Sequence, residues 1–309
     1  MRVSLYTEPH RGATYEEQLR SARHAEAAGF EGWFRADHYL PMHPSDGLPG
    51  PTDTWVTLGA LARETRTIRL GVLLAAATFR HPAVTAISAA QVDLMSAGRL
   101  DFGLGAGWFG KEHAAWGIPF ATPRERFDRL AEQLDIVTGL WSTPDGQTFS
   151  YAGSHYTLAD APALPKPAQR PGPPIIVGGR GAKRTPFLAA RHADEYNAPF
   201  TPPDRTAELF SRVREACEQH GRTKPPLTLS VGLAVACGRT ESEVRRRREL
   251  LTAPSYLPPE PVISGSPAEV ADRIAEYAAL GATRVYVRHR DLADLDHLDL
   301  LAAEVLPHL

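Results

Sequence analysis

Residues 69–77 read RLGVLLAAA (Arg69–Ala77), a short apolar run that ends in three small residues. A run of this length and character is the signature of a buried strand in a parallel sheet. One strand earlier, the segment Phe30–Arg35 leads into the titratable pair Asp37–His38. In an alternating β/α chain both features fall at the C-terminal ends of parallel strands, the face on which barrels of this class carry their chemistry. A titratable pair beside small apolar residues suggests a slot for a flat ring with a proton-transfer group at its edge.

Outward from this segment, strand and helix signals alternate along the whole chain. Strands are expected at Arg2–Tyr6, Phe30–Arg35, Ile68–Leu74, Arg99–Leu104, Pro174–Val177, Glu195–Ala198, Leu227–Ala236 and Arg284–Val287. Helices are expected between them, among them Tyr15–Ala28, Thr52–Glu64, Pro82–Met95, Pro123–Leu140, Pro203–His220 and Pro267–Leu280. Eight such units favour a single α/β domain over residues 1–309, a (β/α)8 TIM barrel, rather than an open doubly wound sheet. Two stretches break the rhythm. Residues 141–173 read as an insertion after the helix Pro123–Leu140, and Thr252–Ser266 as a second irregular connection. Their aromatics Phe149, Tyr151, Tyr156 and Tyr256 either line a pocket or pin the loops to the barrel.

The bulk properties exclude several classes. The chain has 309 residues, 43% hydrophobic and 23% charged, enough for a large core without disulfide support. A formal net charge of −2 provides no basic field for nucleic acid. No signal-peptide pattern opens the chain and no apolar run is long enough to span a membrane, so a cytoplasmic location is expected. Cys217 and Cys237 lack any ligand spacing and read as buried or incidental thiols. Twelve histidines form no HxH or HExxH motif, so no metal site is expected, and no G-x-S-x-G elbow occurs. The basic run Arg245–Arg248 reads as a solvated helix face.

Three places carry residues suited to chemistry. The turn Gly178–Gly179–Arg180–Gly181–Ala182–Lys183–Arg184 lies between a strand and a helix. Free N–H groups at the helix start and three basic side chains suit a phosphate there; the alternative is a tight turn with its cations in water. The second, Gly105–Ala106–Gly107–Trp108–Phe109–Gly110, satisfies G-x-G-x-x-G. The segment Trp108–Phe120, which contains Gly117 and Pro119, reads as a loop rather than a helix, so the dinucleotide interpretation fails. Gly105 and Gly107 instead allow close approach of the backbone to a bound ring or to a side chain. The third is Asp37–His38, where His38 is the expected proton-transfer group and Asp37 its orienting or structural neighbour.

The stretches GFEGWFRADH (29–38), TRTIRLGVLLAAATFRHPAV (65–84), SAGRLDFGLGAGWFGKEH (96–113), PFATPRERFDRL (119–130) and PPIIVGGRGAKRTPFLAARHADEYN (173–197) occur in this order. Together they resemble the luciferase-like family of flavin- and deazaflavin-dependent oxidoreductases, most closely its coenzyme F420-dependent members. The resemblance implies a non-prolyl cis peptide at Leu73–Leu74, in a ledge Leu73–Ala76 (with Ala75) that backs the deazaflavin ring. It further implies a phosphate site at Gly178–Arg184, the pair Asp37–His38 beside the ring, and a substrate pocket that includes Trp108 and Tyr156. Sugar-phosphate dehydrogenases of the family carry a Glu where this chain has Trp108, which argues against glucose 6-phosphate as substrate.

The activity this implies is hydride transfer between F420 and a small organic substrate, with reduction of an activated C=C or C=N bond favoured. The alternatives are an FMN-dependent monooxygenase fed reduced flavin by a separate reductase, and a non-catalytic flavin-binding barrel. A homodimer through the second and third helices is also implied, with Ala83, Ala86, Ile87, Ala90 and Leu94 as the candidate face.

Overall fold

The strands that close the barrel run from four to ten residues. In the computed structural model, which describes residues 1–42, 47–253 and 260–309, β1 (Arg2–Thr7) pairs in parallel with β2 (Gly32–Arg35). Around the ring come β3 (Arg69–Ala76), β4 (Leu100–Gly105), β7 (Ile175–Gly178), β8 (Glu195–Pro199), β9 (Thr228–Cys237) and β11 (Arg284–His289). β11 returns to β1 with Arg2 opposite Arg284 and Thr7 opposite His289, which closes eight parallel strands into a barrel. The helices outside it are α1 (Tyr15–Ala27), α2 (Thr54–Glu64), α3 (Pro82–Met95), α4 (Gly110–Ala115), α5 (Pro123–Ser142), α6 (Arg184–His192), α7 (Pro203–His220), α8 (Glu241–Thr252), α9 (Pro267–Ala279) and α10 (Leu295–Glu304). Capping boxes start two of them: Thr14 with Glu17 on α1, and Ser266 with Glu269 on α9.

The barrel lumen is filled in layers. Near the strand starts, Arg284 lies between Asp101 (2.8 Å), Glu195 (3.0 Å) and Glu31 (2.9 Å), with Tyr286 donating to Glu195 at 2.6 Å. Such a buried guanidinium persists only because carboxylates surround it. Above it Phe34 meets Tyr286 edge-on at 4.9 Å. Gly71 makes that position available to Phe34, since a Cβ there would sit 2.1 Å from its ring. Towards the strand ends the lumen continues through Ile176, Leu73, Tyr6 and Phe200, with Leu74 packed against them.

Four sequence expectations need correction. Residues 141–173 contain an antiparallel hairpin, β5 (Phe149–Ala152) with β6 (Thr157–Ala161). The connection after α8 contains β10 (Val262–Gly265), which pairs with the far end of β9. The segment after Trp108 is not all loop, because α4 begins at Gly110. The run Arg245–Arg248 is not wholly solvated: Arg247 is buried, pairs with Asp294 at 2.8 and 2.9 Å, and donates to the Cys237 carbonyl at 2.7 Å. A single arginine of a basic helix turns inward when a neighbouring loop offers it a carboxylate.

The hairpin aromatics hold the hairpin to α5. A Cβ at Gly139 would meet the Phe149 ring at 2.2 Å, so α5 is bare there to receive it. Tyr256 lies outside the described residues. No helix among the described residues is long and apolar enough to cross a membrane.

Candidate active site

At the end of β2 the chain is pinned from below. Arg35, buried, donates to the Thr52 hydroxyl (3.1 Å), the Thr52 carbonyl (2.7 Å) and the Ala36 carbonyl (3.2 Å). The next two polar side chains then diverge. Asp37 takes both guanidinium nitrogens of Arg80, at 2.7 and 3.1 Å, and accepts from the Ala76 amide at 3.2 Å. Arg80 also reaches Asp53 at 2.6 Å, and the Tyr39 hydroxyl donates to the same Asp53 oxygen at 2.6 Å. Asp53 caps α2 through the amides of Trp55 and Val56. Burial pushes the Asp53 carboxyl up, but Tyr39, Arg80 and the Val56 amide outweigh it and bring it down to about 2.

His38 points the other way. Its Nδ1 lies 2.9 Å from Oε2 of Glu112 on α4, a carboxyl with no solvent exposure. The other Glu112 oxygen accepts from the backbone amides of Tyr39 and of Leu40, the latter at 3.0 Å. The α4 turn is itself clamped to the β3 end: His113 contacts the Phe109 carbonyl at 2.8 Å and the Thr78 hydroxyl at 2.7 Å. Gly107, at φ +70°, leaves space for Thr78, whose hydroxyl would lie 2.6 Å from a Cβ. Around His38 stand Trp108 (5.7 Å), Phe109 (6.3 Å) and His10 (5.2 Å), all edge-on. His10 is buried with Nδ1 unpartnered among the described residues, and burial holds it well below the ordinary histidine range.

The β3 end forms a ledge. The Leu73–Leu74 peptide is cis, and the pairing with β4 shifts register between Val72 and Ala75. The β4 glycines make room for Leu74: a Cβ on Gly103 would lie 2.7 Å from it, and one on Gly105 3.2 Å. Asp37 holds this ledge against the β2 end through the Ala76 amide.

The glycine-rich turn lies at the start of α6, a helix without a side-chain cap. Gly179 has φ +139°, a conformation that side chains rarely adopt, and the Tyr196 hydroxyl donates to its carbonyl at 2.7 Å. Two of the three cations are already engaged. Arg180 donates to the carbonyls of Pro199 (2.9 Å) and Phe200 (3.0 Å), and Arg184 to the Arg124 carbonyl (2.9 Å) and to Asp128. Lys183 is exposed and has no ion-pair partner among the described residues. Gly178, Gly181 and Ala182 complete the turn. Tyr156 is held beside the β3 end: Gln133 donates to its hydroxyl at 2.8 Å and to the Ala77 carbonyl at 2.6 Å, and the Tyr156 and His81 rings meet at a steep angle.

Glu112, Arg80 and the charged group at the β11 end are not identified from sequence. In that group Arg288 lies over the Phe200 ring at 3.7 Å, pairs with Glu260 at 2.7 Å and approaches Glu8 at 3.5 Å. Arg290 meets Glu8 at 3.2 Å. Burial raises the Glu8 carboxyl, but Arg288 and Arg290 prevail and hold it at about 2. No cluster of His, Cys, Asp and Glu among the described residues is arranged to hold a metal ion.

Comparison with known proteins places this geometry in context. Residues 1–260 match the luciferase-like monooxygenase family. A relative from Microbacterium testaceum, named F420-dependent glucose-6-phosphate dehydrogenase, is 28% identical, the match covering 92% of this chain and 90% of that protein. Among solved structures, an F420-dependent secondary alcohol dehydrogenase with an F420–acetone adduct superposes with a TM-score of 0.84 at 17% identity, covering 99% of this chain and 98% of that one. The oxygenating constituent of 3,6-diketocamphane monooxygenase from Pseudomonas putida, bound to FMN, gives 0.78 at 20% identity, covering 99% and 98%. These structural likenesses concern the fold. With the family match spanning most of its length, this chain belongs to the luciferase-like monooxygenase family.

Proposed function

We propose that this protein is an F420-dependent oxidoreductase that transfers a hydride between the deazaflavin and a small organic substrate, with His38 moving the proton. The observation that carries this reading is the pairing of ledge and imidazole. Asp37 binds the Ala76 amide and so fixes the Leu73–Ala76 ledge next to the strand end that presents His38. The name of the Microbacterium testaceum relative supports F420 as the cofactor.

The residues present fit such a group. Leu73, Leu74, Ala75 and Ala76 offer an apolar ledge for a ring, and the uncapped α6 start with Gly179, Gly181 and Lys183 suits a phosphate. When bound, the deazaflavin supplies a carbon centre that gives or accepts hydride. The chain's own part is to hold the ledge rigid, to shield one side of the pocket with Trp108 and Phe109, and to exchange a proton at His38.

Reduction of an activated C=C or C=N bond is the substrate chemistry proposed. A carbinol–carbonyl couple, which the relative's name suggests, requires the same hydride and proton. The internally paired charges at Arg288, Glu8 and Glu260 favour an uncharged substrate. A homodimer through α2 and α3 is also proposed: Val56 is 75% exposed, Val84 53% and Leu94 49%, with Ile87 beside them. Ala86 and Ala90 are buried, so they pack within the protomer and leave Ile87 and Leu94 to the face.

Titration with F420 and with FMN, followed by protein fluorescence, tests the cofactor. Tight F420 binding with weak FMN binding is expected, along with turnover in a screen of enones, imines and secondary alcohols. Preference for FMN replaces this reading with that of a monooxygenase supplied by a separate reductase.

A further inference from the structure

We propose that Glu112 is a positioning residue that fixes the tautomer of His38, so that the proton of the reaction enters and leaves at Nε2. The inference rests on the reading of His38 as the proton-transfer group. With Glu112 in its carboxylate form, which has no proton to donate, the 2.9 Å contact with Nδ1 requires the imidazole to carry its hydrogen there. The two remaining donors, the amides of Tyr39 and Leu40, lie on the other Glu112 oxygen and stop the carboxylate from rotating away. Nε2 has no hydrogen-bond partner among the described residues and His38 keeps 16% exposure, so this nitrogen is the one left for a substrate. Neutral His38 therefore presents a lone pair at Nε2, and protonated His38 presents an N–H there with its charge balanced by Glu112.

Among the described residues the surroundings add no competing partner. Trp108 and Phe109 meet the ring at steep angles, and burial holds His10, whose ring centre lies 5.2 Å away, well below the ordinary histidine range. Asp37, although adjacent in sequence, is turned to Arg80 and Ala76. The clamp of His113 on Thr78 sets the height of α4 relative to the β3 ledge, which places Glu112 and the ledge in one rigid frame.

Glu112→Gln provides the test, because the amide keeps one oxygen for the Tyr39 and Leu40 amides and turns an NH2 towards Nδ1. That NH2 requires a lone pair at Nδ1 and so moves the histidine proton to Nε2. Long-range ¹H–¹⁵N spectra of histidine-labelled, cofactor-free protein, with His38 assigned from His38→Gln, are expected to show a protonated Nδ1 in the parent and a protonated Nε2 in the variant. Turnover of the variant is expected to fall on the order of 10²-fold or more, with unchanged F420 affinity and an unchanged circular dichroism spectrum. A neutral parent His38 protonated at Nε2 overturns the assignment even if the variant fails to fold. An unchanged tautomer and unchanged kcat in a folded variant overturn it as well. The spectra read the tautomer without any substrate, so the expected tautomers with no F420 turnover would sink the proposed function and leave the placement of the proton standing.

Discussion

The Asp37 carboxylate grips Arg80 with both oxygens and, through one of them, also holds the Ala76 amide. Three segments distant in sequence, the β2 end, the β3 end and the α2 cap at Asp53, are thereby joined at one guanidinium. Removing Asp37 leaves a largely buried arginine with half its counter-charge. Asp37→Ala is expected to lower the unfolding free energy by about 3–5 kcal/mol and to loosen the ledge, so that F420 affinity falls together with stability in urea titrations. Retained stability with lost turnover would instead make Asp37 a participant in proton transfer.

The ledge has its own test in two glycines of β4. A Cβ at Gly103 would lie 2.2 Å from the Val72 carbonyl oxygen, a backbone atom that cannot yield. Gly103→Ala is therefore expected to abolish folded protein. At Gly105 the nearest atom is a Leu74 methyl at 3.2 Å, and a side chain can shift by a few tenths of an ångström. Gly105→Ala should fold and displace Leu74, weakening F420 binding. An unchanged dissociation constant would remove Leu74 from the cofactor's seat.

At the proposed phosphate site the structure distinguishes cations that look alike in sequence. Arg184 is spent on Arg124 and Asp128, whereas Lys183 is exposed and unpaired among the described residues. Lys183→Ala is expected to raise the F420 dissociation constant about tenfold, near 1.4 kcal/mol, and Arg184→Ala to leave it within about twofold. The reverse order would place the phosphate on the α5 side of the loop.

What the sequence reveals and what it hides divides along contact distance. The strand of Arg69–Ala76, the turn at Gly178 and the helix Pro203–His220 are local patterns, so they read directly from periodicity and turn chemistry. β10 and α4 have four and six residues, too few for a period to establish itself, and α4 is bounded by Gly110 and Gly117. Glu112 is hard to find in the sequence because its partner His38 lies 74 residues away. The one signal for it is the adjacent pair Glu112–His113 inside a glycine-bounded segment just after a strand end. Arg247 shows the same limit, since only the fold brings Asp294 to it.

Acid stability is expected to depend on histidines buried away from water. Burial, partly opposed by Asp294 and Asp291, brings His289 down to about 4; burial with Arg247 brings His297 down to about 3. Between these values and the ordinary 6.5 the unfolded chain binds protons that the folded chain refuses, so stability falls as the pH falls. Each such histidine removes roughly 2 kcal/mol between pH 6.5 and 5. Thermal melting is therefore expected to weaken well before Glu8 and Asp53 titrate near 2, and His289→Asn should flatten the slope. A melting temperature constant from pH 7 to 5 would contradict neutral burial.

The proposed preference for an uncharged substrate rests on Arg288, which lies over Phe200, a residue of the lumen cluster with Tyr6 and Leu73. A bare guanidinium at that point would attract a phosphate ester. Glu260 at 2.7 Å and Glu8 at 3.5 Å already occupy it, while serving Arg180 and Arg290 as well, and an incoming dianion would have to displace a carboxylate in place. The parent protein is therefore expected to turn over neutral substrates without inhibition by inorganic phosphate, and to reject sugar phosphates. Glu260→Gln removes one of the two counter-charges while keeping the shape, and phosphate should then become a competitive inhibitor. Strong phosphate inhibition of the parent would show that Glu260 yields its place to an anion, and the pocket would have to be read as one for charged substrates.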